Sequence, residues 1–193
     1  RNLAIEMNRI CNDLRLLASG PRTGLMEISL PPVAPGSSMM PGKVNPSMLE
    51  MMNMVCYQVI GCDLVISGAS QAGQLELNVM MPVIAFNICF MITILSNGLK
   101  QLDSLCIKGI TADENRCRRY AEDSLGLVTA LSPCIGYAHA ADLAKEAVIS
   151  GKSVVDVIRE KGILTDEQIK KVLDPEWMTE PGTLDKGEDD LCP

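Results

Sequence analysis

The stretch Gly36-Ser-Ser-Met-Met-Pro-Gly-Lys-Val-Asn-Pro46 lies between two long helical patterns. Within the positions from Ser37 to Asn45 it holds two serine hydroxyls, a lysine ammonium and an asparagine amide. Its glycines free the backbone, and its prolines stiffen it. Clusters of Gly, Ser, Pro and Asn between periodic segments are typical of plain connecting loops. Composition alone therefore leaves a plain loop and a binding site both open.

The spacing of this stretch excludes the commonest phosphate-binding loop. That motif needs four residues between its glycines and a Ser or Thr directly after its lysine. Here five residues separate Gly36 from Gly42, and Val44 follows Lys43. The polar groups therefore require another explanation.

The flanking sequence predicts helices and no persistent strand. Before the stretch, apolar residues recur at steps of three and four, at Leu3, Met7, Ile10, Leu14 and Leu17. The same periodicity and the stop signals predict helices over 1–18, 46–70, 82–102, 112–131, 136–149, 153–161 and 165–173. Apolar residues make up 47% of the chain and aromatic residues only 3%, which favours helix-on-helix packing and an all-α fold.

Cap chemistry sharpens several of these boundaries. Asn45 is a good N-cap, and Pro46 suits the first helical position, as Pro82 suits the first turn of a later helix. Ser153 is a plausible N-cap, and Thr165 with Gln168 forms a capping-box pattern. Glycines are natural helix stops, and they occur at Gly151 and Gly162.

Charge and cysteine usage exclude several function classes. The net charge is −7, and no Lys/Arg stripe interleaves with aromatic residues, so nucleic-acid binding is not expected. The eight cysteines form no C-x-x-C pair, and most fall in helical patterns, which favours reduced, buried thiols in a cytoplasmic protein. No signal-peptide pattern is present, and no His/Cys/Asp/Glu spacing indicates a metal site.

One segment is long and apolar enough to raise the question of a membrane span. No charged residue occurs from Leu77 to Leu99. Asn78, Pro82 and Asn87 interrupt it, and nothing else in the chain looks membranous. A helix that is apolar all round also suits the centre of a bundle or an oligomer. We therefore predict a bundle helix and no membrane association.

The residues 36–46 resemble the signature G-S-S-x-M-P-x-K-x-N of the aspartase/fumarase superfamily, and every fixed position is met. Three further segments resemble the superfamily, and the resemblance extends to about Gly182; these segments are Ile10–Arg22, Ala72–Val79 and Ile135–Tyr137. The resemblance implies the end of a long central helical bundle at 1–110 and a small helical C-terminal domain at 111–182. Residues 183–193 are acidic and lack an apolar stripe, so a disordered tail is expected there. It also implies a homotetramer whose active sites are shared between subunits.

By this resemblance, the candidate catalytic residues are Ser37, Ser38 and Glu50, and the candidate substrate-binding residues are Lys43 and Asn45. Superfamily members remove a proton next to a carboxylate of a small dicarboxylate and release fumarate, without a cofactor. Ser37 is the expected base, with Ser38 as rival or helper. The matching acid of the family orients a catalytic histidine, which makes Glu50 its counterpart. The alternatives are a helix-dipole role for Glu50 and an N-cap role for Asn45.

The family's histidine belongs to a part of the sequence that would precede Arg1. His139 is the only histidine here and is expected to be a surface or helix residue. Glu76 and Asn78 are expected to support the core or an interface. The chain thus carries one part of the expected site, and we expect little activity from it alone.

The stretch Ala72–Met80 resembles the aspartase branch more than the fumarase branch, although Met81 departs from the Glu common there. Removal of ammonia from L-aspartate is therefore the expected reaction. Fumarate hydration and a non-catalytic helical oligomerisation fragment are the alternatives.

Overall fold

The computed structural model describes residues 1–40, 42–174 and 178–179. The all-α prediction is confirmed, because nearly all of the regular structure is helical. Within these described residues, one short two-stranded sheet and a single 3₁₀ turn at Ile107–Gly109 accompany the helices. The elements are α1 (Asn2–Leu17), β1 (Ile28–Ser29), α2 (Ser47–Ser70), α3 (Met81–Leu105), β2 (Thr111–Ala112), α4 (Glu114–Glu122), α5 (Leu127–Ile135), α6 (Tyr137–Ser150), α7 (Val154–Lys161) and α8 (Asp166–Val172).

The chain divides into two compact units, Arg1–Glu114 and the part from Asn115 onward. In the first unit α2 packs against both α1 and α3. Its core is filled by small and sulfur-containing side chains beside Leu and Val, which permits close approach of the helices. The buried residues of this core are Ala4, Cys11, Leu49, Met52, Cys56, Val59, Leu102 and Cys106.

A small antiparallel sheet forms in the first unit, although the sequence predicted no strand. Ile28 pairs with Ala112, and Ser29 pairs with Thr111. Two residues per strand are too few to show an alternating pattern, which is why the prediction was wrong.

The second unit contains α4 to α8, and its core is aliphatic. The predicted helix 112–131 is wrong, because a turn separates α4 from α5. At that turn the Ser124 hydroxyl accepts a hydrogen bond from Gly126 N–H, and Leu127 N–H donates to the Ser124 carbonyl. A serine that bonds local backbone groups competes with helix continuation.

The predicted caps of α7 and α8 are confirmed. Ser153 accepts from Asp156 N–H, and Thr165 with Gln168 completes the reciprocal capping box. Gly151 and Gly162 end α6 and α7 in the left-handed conformation, with φ of +68° and +61°. Side chains are disfavoured there, so glycine is the natural residue.

Two long helices leave much apolar surface uncovered. The segments Ser47–Ser70 and Met81–Gly109 are long and apolar enough to cross a membrane, judged by length and composition only. Only 33% and 11% of their most apolar windows are buried. Phe86 and Phe90 on α3 stack with ring centroids 5.8 Å apart, and Phe86 is 65% exposed.

The cysteines are mixed in their surroundings. Cys11, Cys56, Cys62 and Cys106 are buried thiols, as predicted. Cys89 is exposed and Cys134 is disulfide-bonded, so the prediction of reduced, buried thiols is wrong at these two positions. The predicted tail 183–193 lies outside the described residues.

Candidate active site

The loop that precedes α2 is closed at its base by one side-chain contact. The Asn45 Nδ2 amide donates to the Gly36 carbonyl oxygen at 2.7 Å. A β-carbon at Gly36 would collide with the Lys43 carbonyl oxygen. The two ends of the loop therefore lie against each other, and only a glycine fits at that approach.

The Ser37 hydroxyl lies inside this loop and receives two backbone donors. Met39 N–H and Met40 N–H both donate to Ser37 Oγ at 3.1 Å. Two donors aimed at one oxygen stabilise negative charge on that oxygen. They also leave the hydroxyl proton pointing elsewhere, since the oxygen acts as an acceptor in both bonds. The Ser37 oxygen is therefore held as a hydrogen-bond acceptor within the loop.

Ser38 and Lys43 differ from Ser37 in their surroundings. Both are exposed, whereas Ser37 is half-buried. Within the described part of the chain, neither the Ser38 hydroxyl nor the Lys43 ammonium has a side-chain hydrogen bond or an ion pair. The Lys43 backbone N–H donates to the Met40 carbonyl at 3.3 Å, which folds the loop back on itself. The Lys43 ammonium is therefore an unpaired positive charge, among the described residues, in the same loop as the Ser37 hydroxyl.

Asn45 is not the N-cap of α2, so that prediction is wrong. Pro46 takes the capping position, without a side-chain hydrogen bond to the helix. The Asn45 amide instead donates its hydrogen bond to the Gly36 carbonyl, nine residues away. A tertiary acceptor therefore outcompetes the local backbone for this amide.

Glu50 lies in the first turn of α2, where an acidic group complements the positive end of the helix dipole. Its partner is on α1: the Arg15 Nη2 atom lies 3.5 Å from Glu50 Oε1. Both side chains are partly exposed, at 39% and 44%. Among the described residues, no contact joins the Glu50 carboxylate to Ser37 or Lys43.

Arg15 is the residue of this region that the sequence analysis missed. It stands in the last turn of α1, four residues after the buried Cys11, so helical spacing places it toward the core. That spacing was the only available signal, because its partners are distant in sequence.

The remaining candidates lie elsewhere. Asn78 joins the ends of two helices: its Nδ2 donates to the Ala69 carbonyl at 3.0 Å, and its Oδ1 accepts from Met80 N–H at 2.8 Å. Glu76 is exposed in a left-handed turn, with φ of +65°. His139 is exposed on α6, and its Nδ1 lies 3.0 Å from the Ile135 carbonyl oxygen.

In the part of the chain that the structure describes, no group of three or more His, Cys, Asp or Glu side chains is arranged to hold a metal ion. The loop itself supplies a hydroxyl oxygen that accepts two backbone donors, with an ammonium in the same loop.

Comparison with protein families gives two matches. A family model described as "Lyase" matches residues 1–61, and one described as "Fumarase C C-terminus" matches residues 127–180. Between them the two models account for more than half of the chain.

Individual proteins agree with these matches. The chain is 53% identical to an aspartate ammonia-lyase from a Bacillus species over 178 residues, which are 92% of this chain and 38% of that relative. It resembles the crystal structure of a fumarate lyase:delta crystallin from Brucella melitensis bound to cobalt, with 49% identity and a TM-score of 0.86 over 93% of this chain and 39% of that one.

A recombinant class II fumarase from Schistosoma mansoni also matches, with 37% identity and a TM-score of 0.86 over 94% of this chain and 38% of that one. The chain thus spans about two fifths of the length of the proteins it matches. Signature, helical fold and both family models agree that this chain belongs to the aspartase/fumarase superfamily.

Proposed function

We propose that this chain supplies the base-carrying loop of a lyase that removes ammonia from L-aspartate and releases fumarate. The observation that carries the proposal is the pair of backbone donors, Met39 N–H and Met40 N–H, on Ser37 Oγ. An ordinary serine hydroxyl is far too weakly acidic to act as a base at neutral pH, so its alkoxide needs such stabilisation. Ser38 has no comparable donors among the described residues, which favours Ser37.

In the proposed reaction, the Ser37 alkoxide takes a proton from C3 of the substrate. The electron pair left on C3 moves into the neighbouring carboxylate, which becomes an aci-carboxylate with extra negative charge. That pair then returns to form the C2–C3 double bond as the C2–N bond breaks, so fumarate and ammonia leave. Donors and cations around the carboxylate oxygens lower this barrier most.

Lys43 is the proposed partner of a substrate carboxylate, because its ammonium is free of ion pairs in the described part of the chain. Asn45 has to exchange its bond to the Gly36 carbonyl before its amide can meet the substrate. We therefore propose that the loop rearranges when substrate binds, as active-site loops commonly do.

The choice of L-aspartate over malate is supported by the relatives. Three curated relatives named aspartate ammonia-lyase are 48% to 53% identical to this chain, whereas the class II fumarase is 37% identical. The higher identity to proteins named aspartate ammonia-lyase therefore favours L-aspartate as the substrate.

We propose that the complete active site forms in a cytoplasmic homotetramer, in which other subunits supply further groups. The support is the uncovered apolar surface of α2 and α3, where Leu64 is 74% exposed and Phe86 is 65% exposed. Patches of this kind mark interaction surfaces. Sedimentation of the chain should show association, and Phe86→Glu should weaken it; a monodisperse monomer would contradict the assembly.

The reaction is tested with a graft, in which this chain replaces the matching segment of the Bacillus aspartate ammonia-lyase. Fumarate is followed by its ultraviolet absorbance, with L-aspartate and L-malate offered separately. Turnover of aspartate supports the proposal, and turnover of malate alone supports a fumarase. If the graft folds and assembles but turns over neither, a helical oligomerisation module is the better description.

The base is tested in the same graft. Ser37→Ala should lower kcat by about 10³-fold, because a positioned base contributes on the order of 10²–10⁴ in rate. Ser38→Ala is the matched control, since it removes the neighbouring hydroxyl, and it should change kcat by less than about tenfold. If the two substitutions exchange these effects, Ser38 is the base; if neither matters, the assignment is wrong.

A further inference from the structure

Arg15 bridges two side chains that lie one helical turn apart on α2. Its Nη2 atom lies 3.5 Å from Glu50 Oε1, and its Nη1 donates to Asn53 Oδ1 at 3.3 Å. Residues three apart on a helix share a face, so both partners point toward α1. The planar guanidinium spans that separation with two different nitrogens.

Asn53 holds the other end of this bridge in the interior. It is only 4% exposed, and it is one of two buried polar residues in the described part of the chain. Its Nδ2 donates to the Asn8 carbonyl at 3.2 Å and to Asn8 Oδ1 at 2.6 Å. A buried amide that is satisfied on both sides has a fixed orientation, because any flip leaves a donor or acceptor unpaired.

The buried Asn53 amide therefore fixes the position of the Arg15 guanidinium through its hydrogen bond to Nη1. Its Nε atom is buried without a hydrogen-bond partner among the described residues. Leaving a buried donor unpaired costs stability in the folded state. If Arg15 served only to join α1 to α2, an apolar side chain could make that contact without leaving a buried donor unpaired.

We propose that Arg15 is a positioning residue that fixes the carboxylate of Glu50 for the elimination reaction, with Asn53 as its anchor. The inference rests on the proposed function, together with the catalytic role of Glu50 that the resemblance to the superfamily implies. Arg15 acts through Glu50 and does not touch the substrate. Because α1 and α2 meet at this point, the position of the carboxylate is set by the packing of the two helices.

A lysine does not replace Arg15 in this role. One ammonium is a compact point charge, whereas the guanidinium offers several donors in a rigid fork. Lys at this position can meet Glu50 or Asn53 but does not hold both at the observed geometry. Arg15→Lys keeps the charge and loses the positioning, which separates the two contributions.

The test is a double-mutant cycle in the graft, with kcat and KM for L-aspartate measured for Arg15→Met, Glu50→Gln and the double variant. We expect Arg15→Met to lower kcat by about tenfold or more, because small misplacements of active-site groups cost up to about 10² in rate. KM should change by less than about threefold, since a group acting in the transition state alters kcat selectively. In the Glu50→Gln background, Arg15→Met should have less than about a twofold effect on kcat.

Two further variants keep the test decisive. Arg9→Met is the matched control, because Arg9 lies on the same helix and pairs with Glu6 and Asp13 at the surface. It should leave kcat unchanged. Arg15→Lys replaces Arg15→Met if the latter does not fold, and it should show the same loss of kcat with a retained thermal midpoint.

The outcomes separate the inference from the function on which it rests. If the parent graft turns over aspartate but the effects of Arg15→Met and Glu50→Gln on kcat multiply independently, Arg15 is only a structural tie and the inference is overturned. The inference is also overturned if Arg15→Lys leaves kcat intact. If the parent graft folds but turns over no aspartate, the proposed function fails and the inference falls with it.

Discussion

Raising the pH should destabilise the first unit through the Cys11 thiol. Burial raises the pKa of Cys11 from 9.0 to about 11, with smaller contributions from Cys56 and Cys106. The side chain is completely buried at the contact between α1 and α2. In the unfolded chain the thiol regains its ordinary pKa and ionises first, so the folded state loses stability as the pH rises above 9.

The magnitude follows from the two pKa values. Below pH 8 the thiol is protonated in both states and contributes no pH dependence. At pH 10 the unfolded state is mostly thiolate and the folded state mostly thiol, which lowers the free energy of unfolding by about 1.4 kcal/mol. Above pH 11 the loss approaches about 2.7 kcal/mol, or two pKa units. Burial also raises the pKa of Cys56 and of Cys106, so their contributions have the same sign.

The assay is urea unfolding followed by circular dichroism at pH 8 and at pH 10, for the chain and for Cys11→Ala. Both proteins lose stability at pH 10 because other groups titrate too. The loss should be smaller in Cys11→Ala by about 1.4 kcal/mol. Cys89→Ala is the matched control, since Cys89 is exposed, and it should behave like the parent. An identical pH dependence in parent and Cys11→Ala would refute the reasoning.

Two other predictions concern local geometry. Gly36→Ala should disrupt the loop base, because its β-carbon would collide with the Lys43 carbonyl; limited proteolysis within 36–46 should become faster, whereas Gly61→Ala, which meets open space, should not change it. Unchanged proteolysis of the Gly36 variant would show that the loop is not closed in this way. Thr165→Ala should lower the midpoint of thermal unfolding of the second unit, since it removes the capping box of α8 and costs about 1 kcal/mol. A midpoint equal to that of the parent would contradict this account of the cap.

The parts of the fold that sequence predicts well are those fixed by neighbours in the chain. Ser153 and Thr165 cap their helices through backbone groups three residues away. The sequence pattern therefore already specifies which groups are in contact. The glycine stops at the ends of α6 and α7 depend on φ alone. Helix type and position followed from such local rules.

The parts that sequence did not predict depend on distant partners. The Asn45 amide has a good local role as an N-cap, yet the Gly36 carbonyl takes it. The pairing of Arg15 with Glu50 and Asn53 joins residues up to 38 positions apart, and no spacing rule connects them. The site residues themselves came from a signature, so the sequence indicated which side chains matter but not what each one touches.

The uncovered face of α3 has a consequence for how this chain must be measured. A helix with 11% of its most apolar window covered has most of its hydrophobic stabilisation still unrealised. We expect the proposed self-association to be linked to folding by mass action, so the melting temperature should rise with protein concentration. A dilution series measures this dependence, and a melting temperature that stays constant on dilution would contradict it.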